Sequence, residues 1–138
     1  MAEEILLETI KGVIAAIILF LVVRLFFLEP CLVEGSSMEP HIPSPGVVLI
    51  NKLAYGLRIP GSERYLFQWG QPEQEDILLP KDPLTGDLSI KRCTRRTPLG
   101  FFVQGDNPRI SIDSRLYGSV SMEQVWGKVI LAIPGRGK

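Results

Sequence analysis

The sequence predicts a mostly β domain behind a single membrane-spanning helix. Three observations carry this expectation. One apolar run near the N-terminus is long enough to cross a bilayer, and no second one follows. The remaining apolar segments are short, rich in β-branched and aromatic residues, and bounded by Gly, Pro, Asn and Asp. The 11 Pro and 13 Gly among 138 residues suit strands joined by turns better than a helical bundle.

Residues 13–23 carry no polar side chain, and Leu25-Phe26-Phe27-Leu28 continues the run past Arg24. Arg24 lies near one end, where its side chain can reach the headgroups. A cleaved secretory signal would need a basic start and small residues at the cut. Here Glu3, Glu4 and Glu8 outnumber Lys11, and no Ala-x-Ala follows. A lipoprotein signal is excluded because Glu29-Pro30 precede Cys31 where small residues are required. An uncleaved anchor over residues 1–29 is therefore expected, with one water-exposed domain over 30–138. Flanking Lys and Arg do not orient the span.

Strands are expected in order along the domain. Val47-Val48-Leu49-Ile50 follows a Pro-Ser-Pro-Gly turn, and Asp76-Ile77-Leu78-Leu79 ends at Pro80. Leu88 to Cys93 alternates with period two, Phe101-Phe102-Val103-Gln104 precedes Gly105, and Val125 to Leu131 closes the set. Equal numbers of basic and acidic residues, 15 of each, argue against nucleic acid as a partner. One His and two Cys without paired spacing leave no metal site, and no cofactor is implied.

Nucleophilic catalysis needs an activated side chain, a base and donors for an oxyanion. The sole histidine, His41, sits in a proline-stiffened loop four residues past Ser37, and no Asp is placed beside it in the sequence. The other base available to a serine is a lysine kept neutral by burial. Lys91, next to Ile90 in an apolar strand, is a candidate, by alternation sharing a face with Ser89 and Cys93; a lone strand lysine is also the pattern of an edge charge.

The order of four segments then decides the reading. Gly35-Ser36-Ser37-Met38-Glu39-Pro40 follows the anchor, and Ile90-Lys91-Arg92 lies in a later strand. Gly105-Asp106-Asn107 comes next, then Ser111-Ile112-Asp113-Ser114-Arg115. This arrangement resembles the bacterial type I signal peptidases, membrane-anchored Ser/Lys proteases that remove signal peptides from exported proteins. Gly46 to Gly56 is similar to the family's strand and turn after the nucleophile. The resemblance implies a coiled, mostly antiparallel, barrel-like β fold on one helix, in the cytoplasmic (inner) membrane, with the catalytic domain outside the cytoplasm.

By the same resemblance Ser37 is the nucleophile and Lys91 the general base. Ser111 corresponds to the serine that hydrogen-bonds the lysine amine. Asp113 and Arg115 correspond to a supporting ion pair, and Gly105, Asp106 and Asn107 to the turn beneath the site. The Ser37 backbone N–H would be one oxyanion donor. Some members place a second, a serine, where this chain has Gly35. Ile90 and Phe101-Phe102-Val103 are the expected desolvating wall for Lys91. Implied partners are preproteins with small residues before the cleavage site, and membrane lipid, met by an apolar rim of Cys31-Leu32-Val33 and Phe101-Phe102. The two cysteines are expected to be separate thiols.

The chain departs from the family pattern at His41, where Thr is usual, at Glu75, and from Cys93 to Gly100. The short interval between Asp76 and Lys91 leaves no room for an accessory domain. Two other readings stay open: a catalytically silent, membrane-tethered binding module, which the changes from Cys93 to Gly100 support, and a self-cleaving repressor domain, which shares the Ser/Lys fold. The anchor and the lack of a DNA-binding helical domain argue against the second.

Overall fold

The structure is a computed structural model and describes residues 1–136. Helix α1 spans Ala2–Phe26, is long and apolar enough to cross a membrane, and buries none of its side chains against the rest of the chain. It ends where Pro30 approaches, since a proline and the residue before it favour extended backbone. Lys52 holds this end. Its Nζ donates to the Arg24 carbonyl at 3.1 Å and pairs with Glu29 at 3.2 Å, a cation placed at the negative pole of the helix.

The chain re-enters extended structure at once. Strand β1 is Leu28–Val33, so Leu28 and Glu29 belong to the β domain and not to the anchor that was expected to reach residue 29. The other strands are β2 Gly46–Asn51, β3 Gly56–Arg58, β4 Tyr65–Gln68, β5 Ile77–Pro80, β6 Lys91–Thr97, β7 Gly100–Gln104 and β8 Val125–Pro134. A short helix α2, Ser114–Tyr117, and a single 3₁₀ turn lie between β7 and β8.

Six strands form one antiparallel sheet in the order β1-β2-β8-β5-β6-β7, and β3 pairs β4 as a separate hairpin. The sheet is open; among the described residues it does not close, which corrects the barrel-like expectation. Alternation sets the core. In β2, Val48 and Ile50 face inward while Val47 and Leu49 stay half-exposed. Two apolar clusters result. One gathers Leu78, Cys93, Phe101, Val103, Val120 and Val125; the other gathers Val33, Met38, Ile42, Val48, Ile50 and Leu79. Each such side chain stabilises the fold by about 1.5–3 kcal/mol on burial.

Two sequence expectations need correction. The period-two run from Leu88 does not pair as a strand throughout. Leu88 makes only an isolated bridge to Lys81, and the ladder with β5 starts at Lys91. The strand β1 and the β3–β4 hairpin were not anticipated. Both are short, and β1 reads in sequence as the tail of the apolar run.

Candidate active site

Ser37 lies in the turn that follows β1. Met38 and Ile42 pin that turn from below, 1% and 2% exposed. Backbone bonds close it: Glu39 N–H donates to Ser36 C=O at 3.2 Å and Ile42 N–H to Met38 C=O at 2.9 Å. From the other side Asn107 grips it. The Asn107 N–H donates to the Ser37 carbonyl at 2.8 Å, and its side-chain amide to the Ser36 carbonyl at 3.3 Å.

Lys91 opens β6 and is 3% exposed, in register with Leu78 of β5. Its Nζ lies 3.4 Å from Ser37 Oγ and 3.2 Å from the Ile90 carbonyl. Burial pushes the amine below the usual lysine range, while the charges of Asp113 and Asp82 pull it back only in part. An amine with this placement and a lowered pKa can accept a hydroxyl proton. The 3.4 Å separation is long for a hydrogen bond.

Asp113 is the hub of the supporting residues, its side chain fully buried. Its carboxylate accepts from Gly105 N–H at 2.9 Å, Ser111 Oγ at 2.7 Å, Arg115 Nε at 2.8 Å and Arg115 Nη2 at 2.6 Å. Burial disfavours its charge, but these donors win and hold the carboxyl well below the usual range. It also caps α2, and Ser114 Oγ accepts from Val103 N–H at 2.8 Å, tying α2 to β7. Ser111 therefore donates to Asp113; among the described residues it makes no hydrogen bond to Lys91, unlike the expected contact. A Cβ at Gly105 would lie 2.2 Å from Ser111 Oγ and 2.7 Å from the Ser37 carbonyl oxygen, so only glycine fits there.

Asp106 accepts from Arg92 Nε and Nη2 at 2.8 and 2.7 Å, and His41 Nδ1 lies 3.0 Å from Asp106 Oδ2. His41 thus has a carboxylate partner, supplied by a turn 65 residues on. Sequence proximity could not show it.

Two other expectations change. Phe102 lies on the opposite face of β7 from Phe101 and Val103, with the Arg95 guanidinium 4.3 Å above its ring, so it does not share their wall toward the core. Phe101 and Val33 are buried in the core, which leaves Leu32 as the exposed member of the expected rim. Cys31 and Cys93 are free thiols.

A cavity of about 480 Å³ opens beside Ser37, lined among others by Cys31, Val33, Met38, Leu79, Leu88 and Ile90. Leu79 and Leu88 read in the sequence only as strand residues; nothing local marks an apolar residue as cavity lining. A larger surface groove of about 760 Å³, along Gln68 to Gln74 with Arg95 and Arg96, includes neither Ser37 nor Lys91. No cluster of metal-ligating side chains occurs among the described residues.

Comparison with known proteins now bears on this geometry. Residues 6–95 match the family model described as signal peptidase, peptidase S26. The chain is 30% identical over 134 residues to signal peptidase I of Pseudomonas aeruginosa, covering 96% of this chain and 44% of that protein. It is 29% identical over 133 residues to signal peptidase I of Pseudomonas fluorescens, with the same coverage. Against signal peptidase I of Bacillus caldolyticus it is 31% identical over 144 aligned residues, covering 77% of this chain and 79% of the relative. The chain thus spans under half the length of the two Pseudomonas relatives. It belongs to the signal peptidase family, peptidase S26. Family and apolar helix together indicate a membrane-anchored protein.

Proposed function

We propose that this chain is a membrane-anchored serine endopeptidase that removes signal peptides from exported preproteins, with Ser37 as nucleophile and Lys91 as general base. The observation that carries the reading is the buried Lys91 amine facing Ser37 Oγ at 3.4 Å. Neutral Lys91 takes the Ser37 proton as Oγ attacks the scissile carbonyl. The protonated amine then gives that proton to the leaving nitrogen, and the acyl-enzyme forms. Lys91, neutral again, takes a proton from water, which attacks the ester; returning the proton to Ser37 completes the cycle. The Ser37 N–H makes no hydrogen bond among the described residues and is free to hold the oxyanion.

The apolar cavity beside Ser37 suits small uncharged side chains before the scissile bond. The catalytic domain is proposed to stand on the extracytoplasmic side of the cytoplasmic membrane, against lipid. Supporting this placement, the apolar Leu32, Val47 and Ile133 lie opposite one another across β1, β2 and β8. Leu32 and Ile133 are 77% and 53% exposed. The residues that supported a silent binding module, Cys93 to Gly100, form most of the β6–β7 hairpin and leave the Ser37–Lys91 approach intact.

The test is cleavage of a preprotein carrying an Ala-x-Ala site by the full chain in lipid vesicles, with the new N-terminus sequenced. Cleavage after the second Ala that disappears in Ser37→Ala supports the reading. Undiminished cleavage by Ser37→Ala sinks it.

A further inference from the structure

We infer that His41 is a positioning residue for Ser37, its imidazole clamping the nucleophile turn onto the turn after β7 through Asp106. The inference rests on the Ser37/Lys91 reading above and adds a residue to it. The Ser36–Ile42 turn is held at both ends. Asn107 grips its N-terminal end at the Ser36 and Ser37 carbonyls. At the C-terminal end the polar side-chain link is His41 Nδ1 to Asp106 Oδ2 at 3.0 Å. Asp106 can serve as a fixed post. It is 11% exposed and takes both Nε and Nη2 of Arg92.

Arg92 is the neighbour of Lys91. The contacts therefore form a closed circuit. It runs from Lys91 along the backbone to Arg92, through Asp106 to His41, and back along the turn to Ser37. The separation between base and nucleophile is set by this circuit, because neither the turn nor its serine belongs to a strand. The imidazole itself is 66% exposed and makes no hydrogen bond to Ser37 among the described residues, so it stands outside the proton path. With a proton on Nδ1 the imidazole can donate to Asp106 across this distance.

The test compares the full-length chain in vesicles with His41→Ala and His41→Asn, whose amide N–H falls near the position of Nδ1–H. His41→Ala is expected to lower kcat about tenfold, on the scale of a slightly misplaced reacting group, with KM within about twofold. The pH profile should keep its shape, and His41→Asn should recover most of the rate. Hydrogen exchange at the Asn107 amide, which bonds Ser37, should quicken in His41→Ala and slow again in His41→Asn. If His41→Ala fails to fold, His41→Phe, which keeps a ring and loses the N–H, takes its place. Wild-type kcat in His41→Ala overturns the inference. So does a His41→Asn enzyme as slow as His41→Ala, or a limb of the pH profile that vanishes with the imidazole, which would make it a base. A wild-type chain that cuts no preprotein overturns the Ser/Lys reading instead, and amide exchange at Asn107 still decides whether the clamp exists.

Discussion

Lys91 and Ser37 face each other but are held by different means. Lys91 sits in a ladder, in register with Leu78, and its neighbour on the same face, Cys93, is 1% exposed. Its position follows from sheet pairing and its basicity from burial. Ser37 sits in a turn with no ladder at all, and its place is dictated by Gly105, Asp106 and Asn107, some seventy residues later. The proposed base is thus vulnerable mainly at its own side chain. The proposed nucleophile is vulnerable at residues distant in sequence that hold its turn.

The largest effect is expected on the base side. Lys91→Met keeps the length and apolar stem but loses the amine. Cleavage should fall on the order of 10⁴-fold or more, as when a member of a catalytic unit is removed. Stability should move the other way. Folding lowers the Lys91 pKa. Between the folded value and the ordinary ~10.4 the unfolded chain binds the extra proton, so the native enzyme gains stability as pH rises through that window. Below the folded pKa the penalty is complete. Lys91→Met removes it, so the variant should melt higher than wild type at neutral pH, with the gap closing toward pH 10. A variant that melts lower at neutral pH would mean that burial does not govern this lysine.

On the nucleophile side, Gly105→Ala should be the strongest lesion. The new Cβ cannot sit 2.2 Å from Ser111 Oγ and 2.7 Å from the Ser37 carbonyl, so the nucleophile turn must shift. A loss of about 10²-fold in kcat is expected for a displaced reacting group, with about 1–3 kcal/mol of overpacking strain. The midpoint of the pH–rate profile should stay put, because the β5–β6 pairing that buries Lys91 is not touched by the new Cβ. A moved midpoint would show that the two supports are one.

Asp113→Asn tests the hub between them. The carboxylate's pKa is depressed in the fold, so its contribution is present above the unfolded value of ~3.9 and is lost as pH falls toward the folded one. Because Arg115 is part-exposed, breaking the pair should cost about 2 kcal/mol at pH 7, below the range for a fully buried pair. Denaturant unfolding of wild type and variant at pH 7 and near pH 3 checks this: the difference should shrink in acid. A pH-independent difference would assign the loss to packing.

What the sequence showed divides along the same line. Lys91 stood out as one lysine in an apolar strand, but its role came only from resemblance to the Ile-Lys-Arg strand of the family; the strands β2, β5, β7 and β8 were legible as β-branched or aromatic runs between turn residues. Strand β1 was hidden because Leu28 reads as the end of the apolar helix until Pro30 is weighed. The start of β6 was misplaced because period-two alternation at Leu88 does not say whether a partner strand lies alongside. The His41–Asp106 pair was illegible in principle, since a turn 65 residues away supplies the carboxylate. Ser111 was picked out by resemblance, yet its hydroxyl goes to Asp113, because a buried carboxylate is the stronger acceptor nearby.

The smallest expected effect is also on the nucleophile side and runs toward gain. Gly35 lines the cavity with Ser37, has no positive φ, and a Cβ there would meet no heavy atom within 4 Å. Gly35→Ser is therefore free of steric strain. The Ser37 N–H is the one oxyanion donor assigned, and a hydroxyl two residues earlier could join it. A preorganised donor is worth 10²–10³-fold in kcat, but a hydroxyl on an exposed residue can rotate away, so a rise of about three- to tenfold is expected. KM should hold, because the charge it meets exists only in the transition state. Gly35→Ala controls for backbone stiffening and should leave kcat near wild type. An unchanged Gly35→Ser rate would mean that another backbone group or a water already fills the second position. A fall in rate would place the oxyanion on the far side of Ser37, toward the Asn107 turn.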